Sequence, residues 1–207
     1  MSILSWNCRG AGGSLCSPKM LHLSRLIAST KAQDVSLHVE KSSSNVILAT
    51  CMYKPTTTKF LLACVYGDPY HRRTRAIWRE VRSFVIQYPN VHAICMGDLN
   101  NVMHPNEKFG PRPVNVARMS TFCWLVKDCG LVDLGFSGLA YTWCNKHFNT
   151  NPTFERLDRS LGNAEWCAAF PSTTVFHLPM MISDHAPILT VLQSSRAKPR
   201  KPFRFEN

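Results

Sequence analysis

Apolar residues along this chain follow two rhythms, and the change from one to the other marks out its elements. Where they recur every third or fourth position, a helix with one buried stripe is expected. Residues 74–88 are the clearest case, with Ile77, Val81, Phe84 and Val85 in the stripe and Trp78 at its edge. Residues 119–129 repeat the pattern, with Phe122, Leu125 and Val126 inward. Residues 18–30 place Met20, Leu23, Leu26 and Ile27 near the same spacing and read as a short helix. Alternation and short apolar runs mark strands instead. The first strand is predicted at 3–7. The next, at 34–40, alternates so that Val35, Leu37 and Val39 share a face. Strands at 45–53 and 59–66 flank a Lys-Pro-Thr-Thr-Thr-Lys turn, and 91–96 reads as a strand buried on both sides. Further strands are predicted at 131–134, 141–144, 154–161, 173–178 and 186–192, and Glu165 begins a turn or short helix.

Helices interleaved with many strands indicate layered α/β architecture. The polar residues that interrupt it are not scattered. Asn7 closes the first strand, Asp98 and Asn100 follow a strongly apolar one, and Asp184 and His185 sit between two apolar runs. Carboxylate, amide and imidazole groups at strand ends can converge at one edge of a sheet. Such a set suits metal-assisted phosphodiester hydrolysis, because hard cations take oxygen ligands and an imidazole can donate to a phosphoryl oxygen. Each residue also has a plainer reading. Asn7 fits a turn, Asp98 and Asn100 fit caps around Gly97, and Asp184 fits a loop cap. His185 fits a surface imidazole, Asp158 a salt-bridged strand residue, and Tyr66 a strand-end aromatic packed under a loop.

Charge adds a partner class. With 24 Lys+Arg against 13 Asp+Glu, the formal net charge is +11, which favours a polyanion such as DNA or RNA. Length and the 45% hydrophobic content suit one folded domain. The nine cysteines include no Cys-x-x-Cys pair, so reduced, mostly buried thiols are expected rather than a zinc site or a disulfide scaffold. No apolar stretch is long enough to span a membrane, and the N-terminus lacks the pattern of a secretory signal. An intracellular protein is expected, with nucleus and cytosol both open.

Seven strings then occur in one order: SWNCRG, VYGDP, ICMGDLN, NEKFG, DCGLVDLGFSGLAYTWCN, ERLDRSLGNAEW and SDHAPI. Together they closely resemble the endonuclease/exonuclease/phosphatase domains of plant LINE (non-LTR) retroelements, over most of the chain. The resemblance implies a four-layer α/β/β/α sandwich, a Mg²⁺ cofactor (Mn²⁺ as substitute) and sequence-independent contacts to DNA phosphates. It implies that Asn7 lies near metal and phosphate, that Tyr66 contacts the phosphate, and that Asp98 activates the attacking water. Asn100 would orient the phosphate and Asp184 would help hold the metal. His185 would face the scissile phosphate, with Asp158 holding and charging it. Trp143 resembles a position near the DNA surface, although core packing suits it equally.

One departure matters. Family members carry, after the first helix, a strand ending in a Leu-x-Glu-Thr-Lys-like string whose glutamate ligates the metal. Here LHLSRLIASTKAQ runs straight into DVSLHVEKSSSNVI, which resembles a later segment. The sandwich is therefore expected to be incomplete, with an internal deletion near 30–35, and Glu40 is a weak substitute for the lost ligand. Hydrolysis would be slow or lost. A non-catalytic nucleic-acid-binding remnant and a poorly folded gene fragment remain as alternatives. Residues 1–194 would form the domain. The basic tail 195–207 resembles the stretch that leads to a reverse transcriptase, which this chain does not contain.

Overall fold

A computed structural model describes residues 1–7, 34–147, 150–181 and 183–192. The loop expected at 8–18, the helix expected at 18–30 and the basic tail from Ser195 lie outside the described residues.

The largest sheet has six strands. In chain order they are β2 (Val35–Ser42), β3 (Val46–Tyr53), β4 (Thr58–Val65), β5 (His92–Asp98), β7 (Leu131–Asp133) and β11 (Asp158–Asn163). Their order across the sheet is β2-β3-β4-β5-β11-β7. Only β4 and β5 run parallel, as their connection by helix α1 (Thr74–Gln87) requires. A second sheet, ordered β1-β13-β12-β8, combines β1 (Ser2–Ser5), β13 (Ile188–Val191), β12 (Thr174–His177) and β8 (Ser137–Gly138). A small third sheet joins β6 (Lys108–Phe109), β10 (Phe154–Glu155) and β9 (Trp143–Cys144).

Two apolar clusters hold these layers together. One face of the six-stranded sheet, through Leu48, Leu61, Ala63, Cys95 and Leu161, packs on α1 and on helix α2 (Val116–Asp128). The opposite face, through Cys51, Leu62, Ile94 and Met96, packs on Ile3, Val175 and Ile188 of the second sheet. Helix α3 (Ala164–Ala169) adds Trp166 to this inner layer. The described residues thus form helix, sheet and sheet in sequence, a mixed α/β sandwich. They bury Ile77, Val81 and Phe84 of α1 as the apolar stripe predicts.

Some boundaries differ from the sequence pattern, for identifiable reasons. Trp78 lies in the interior, 1% exposed, because α2 covers the edge of α1 and sets Phe122 against its ring at 5.5 Å. Helix α2 begins three residues earlier than expected, because the Asn115 side chain accepts from Arg118 N and caps it. Val39 is exposed where Val35 and Leu37 are half-buried, because the register shifts between Val39 and Lys41 at a bulge. The strand expected at 154–161 is two strands. Its chain leaves the small sheet after Glu155 and joins the large one at Asp158.

Seven cysteines among the described residues are free thiols, five of them buried. Burial pushes the Cys51 and Cys129 thiols up to about 12, so both stay protonated and inert near neutrality.

Candidate active site

The two main sheets deliver polar side chains to one edge by register alone. In the large sheet β11 runs antiparallel to β5 with Asp158 directly opposite Asp98. Two carboxylates therefore stand side by side at a strand end. In the second sheet Ser5 pairs with Ile188. Asn7, two residues beyond Ser5, and His185, three residues before Ile188, consequently leave that sheet together.

Glycines bring the strand ends close. Gly67 donates its N–H to Asp98 O at 2.7 Å, and a Cβ there would lie 2.1 Å from Leu99 O. Gly97 has φ +138, and a Cβ on it would meet Val65 O at 2.1 Å. Neither position accepts another residue without moving the backbone. Asn100 adopts φ +51, a left-handed conformation that asparagine tolerates. Its backbone N–H donates to Asp98 Oδ1 at 3.0 Å, and its Nδ2 donates to Gly67 O at 2.8 Å.

The side chains then form one chain of contacts. Asn7 Nδ2 donates to Asp98 Oδ2 at 2.9 Å and lies 3.4 Å from His185 Nε2. His185 Nδ1 is 2.9 Å from Asp158 Oδ2, and its Nε2 is 3.7 Å from Asp98 Oδ2. The Trp143 indole N–H donates to Asp184 Oδ2 at 3.1 Å. Asn7, Asp98, Asp158 and His185 are all buried.

Burial and the neighbouring Asp158 charge push the Asp98 carboxyl up to about 7, against the opposing pull of His185, Asn7 and the Asn100 N–H. Burial alone would lower His185. The Asp158 hydrogen bond and the charges of Asp158, Asp98 and Asp184 outweigh it and raise the ring to about 9. At neutral pH His185 is therefore an imidazolium held by Asp158.

Asp98, Asp158 and His185 offer ligand atoms that all lie within 4.8 Å of one another, a cluster capable of coordinating a divalent cation. The donor chemistry suits a hard ion when the oxygens do the binding. A charged His185 offers no lone pair, whereas a cation would offset the Asp158 charge that, after burial, raises Asp98.

An open cleft of about 1160 Å³ exposes this edge. Asn7, Tyr66, Asp98, Asn100, Asp184 and His185 line it, together with Trp143. Glu40 is not brought there. It sits on β2, three strand spacings or about 14 Å across the sheet from β5. Its carboxylate accepts from the Tyr88 hydroxyl at 2.7 Å, in a surface groove beside Arg79 and Glu80.

Two buried hydroxyls that the sequence reading passed over hold the set in place. Ser183 Oγ donates to Asn7 O at 2.7 Å and accepts from His185 N at 3.1 Å. Thr142 Oγ1 accepts from both Leu157 N and Asp158 N at 2.9 Å, and Thr142 O accepts from Ala186 N at 2.7 Å. Thr142 thus joins the segments that carry Asp158 and His185. Ser183 could have been suspected from its place in the S-D-H string; nothing in the sequence separates Thr142 from an ordinary strand threonine.

Neither a family model nor a curated protein sequence matches the chain. Solved structures do match. The endonuclease domain of TRAS1, a telomere-specific non-LTR retrotransposon, aligns with a TM-score of 0.61 at 14% identity, covering 77% of this chain and 68% of that one. The AP endonuclease LMAP from Leishmania major aligns with a TM-score of 0.56 at 16% identity, covering 72% of this chain and 55% of that one. The likeness is one of fold. This sandwich is similar in fold to those two endonuclease structures. The chain spans only about half the length of LMAP.

Proposed function

We propose that this chain is a LINE-type nuclease domain that hydrolyses DNA phosphodiester bonds with Mg²⁺ or Mn²⁺, at a rate much reduced by the lack of one metal-binding glutamate. The observation that carries the reading is the run of contacts from Asn7 through Asp98 to His185, which line one open cleft, and on to Asp158 buried behind His185. Asp98 takes a proton from the attacking water as the new P–O bond forms and the old one breaks. A carboxylate near 7 is basic enough for that step and is substantially ionised at neutral pH. His185, kept charged by Asp158, faces the phosphoryl oxygens as negative charge develops there. Asn7, Asn100 and Tyr66 orient the phosphate. Asp184 and the Asn7 amide oxygen would hold the cation, which when bound would supply Lewis-acid stabilisation of the phosphoryl group.

The missing glutamate has no evident replacement among the described residues. Glu155 lines the cleft, but its carboxylate is paired with Lys108 at 2.6 Å. The fold in this reading is a four-layer sandwich lacking the glutamate-bearing strand, with residues 1–194 as the domain. Plasmid nicking by the purified chain tests the proposal. Slow conversion of supercoiled to nicked circles is expected with Mg²⁺, none with a chelator, and none in Asp98→Ala or His185→Ala. Cleavage that persists in both variants would contradict it.

The net charge of +11 favours a second reading, a nucleic-acid-binding domain without catalysis. Metal-dependent nicking that Asp98→Ala abolishes would exclude it.

A further inference from the structure

Asp158 and Arg159 are successive residues of β11, so they leave the strand on opposite sides. Asp158 faces His185. Arg159, 0% exposed, enters a cluster of four charged side chains with Glu107, Asp133 and Arg156. Arg156 pairs with Glu107 Oε1 at 3.0 Å and Asp133 Oδ1 at 2.8 Å. Arg159 pairs with Asp133 Oδ2 at 2.7 Å and with both oxygens of Glu107. None of the four lines the cleft.

We propose that Glu107 and Arg159 are positioning residues for the Asp158–His185 pair, a role that rests on the hydrolytic reading above. One continuous strand is expected over 154–161, yet the chain breaks at Arg156 and Leu157. The charged cluster clamps that break. Arg156 N donates to Glu107 O at 2.9 Å, and Arg159 donates back to Arg156 O at 2.9 Å. Glu107 Oε2 accepts from Met103 N at 2.6 Å and His104 N at 3.1 Å. The same carboxylate therefore fixes the loop that follows Asp98 and Asn100. A slip of one residue in β11 would turn Asp158 to the opposite face and break its contact with His185.

The energetics point the same way. Removing four charged groups from water is costly, and apolar side chains of similar volume often do as well or better for stability. Both Nε–H groups of the pair of arginines also lack an acceptor among the described residues. Such a cluster is poorly suited to stability alone and well suited to holding a register.

The test is the double variant Glu107→Leu/Arg159→Met, which leaves Arg156 and Asp133 as a balanced pair, beside the single variant Arg159→Lys. Proton NMR of ¹⁵N-histidine-labelled protein reads the hydrogen-bonded Nδ1–H of His185, assigned by its loss in His185→Gln. In the double variant we expect the melting temperature to hold and the Nδ1–H signal to be lost. We also expect kcat for nicking to fall about 10-fold or more, with KM for DNA unchanged. A folded double variant that keeps both the signal and kcat overturns the proposal. If the parent does not nick at all, the hydrolytic reading fails and the signal alone decides the positioning role. If the double variant does not fold, Arg159→Lys decides. A weakened signal in folded protein supports the proposal, and an unchanged one makes the cluster a stability element only.

Discussion

At the scale of single residues, His185 carries the most specific consequence. Its folded pKa of about 9 lies above its ordinary 6.5, so the fold stabilises the protonated ring. That contribution is complete below pH 6.5 and is lost as pH rises through about 9. Melting curves in a chelator should show His185→Gln less stable than the parent at the acid end, with the gap closing across this window. A gap that stays constant would mean that the ring is held by packing and not by charge. Asp98, Asn100 and His185 were legible because each interrupts an apolar run at a strand end. Their assembly with Asn7 follows from strand register, which the order of strings in the family resemblance carried and the local pattern did not. Thr142 and the Glu107–Arg159 pair were not legible. A buried threonine leaves no trace in composition, and two ions separated by 52 positions look like two solvated charges.

At the scale of elements, helices α1 and α2 followed their periodicity and the short strands did not. An apolar stripe in α1 must face the sheet whatever else the chain does, so Ile77, Val81 and Phe84 were readable. The division of 154–161 depends on partners far away in sequence, and no alternation of side chains reports it. Trp78 shows the same limit from the other side, since only the crossing of α2 turns an edge position into an interior one. Its replacement should be correspondingly costly. Trp78→Ala is expected to lower unfolding stability by about 3–5 kcal/mol, measured by urea titration. A loss below about 1 kcal/mol, typical of surface sites, would place the indole outside the load of the core. Strand β2, at the sheet edge, carries Glu40 and Lys41 outward, the charged margin that discourages edge-to-edge pairing.

At the scale of the whole molecule, charge and cleft act together. A surplus of 11 positive charges favours a polyanionic partner whether or not the candidate site works well. DNA affinity should therefore fall steeply as salt rises, and log Kd against log salt should be linear in a titration by fluorescence anisotropy. Affinity indifferent to salt would remove phosphate contacts from the account. In the function proposed above, the catalytic side chains are assembled but the cation is poorly held. The most direct test is the nicking rate as a function of Mg²⁺ concentration, measured beside the TRAS1 endonuclease domain under the same conditions. The rate here should stay below ~1% of that domain's, by extension from the cost of disturbing groups around a metal. It should still be rising at Mg²⁺ concentrations where the comparison enzyme has reached its plateau. Saturation at the same Mg²⁺ concentration, with a comparable rate, would contradict the claim and show that this chain holds its cation without the missing glutamate.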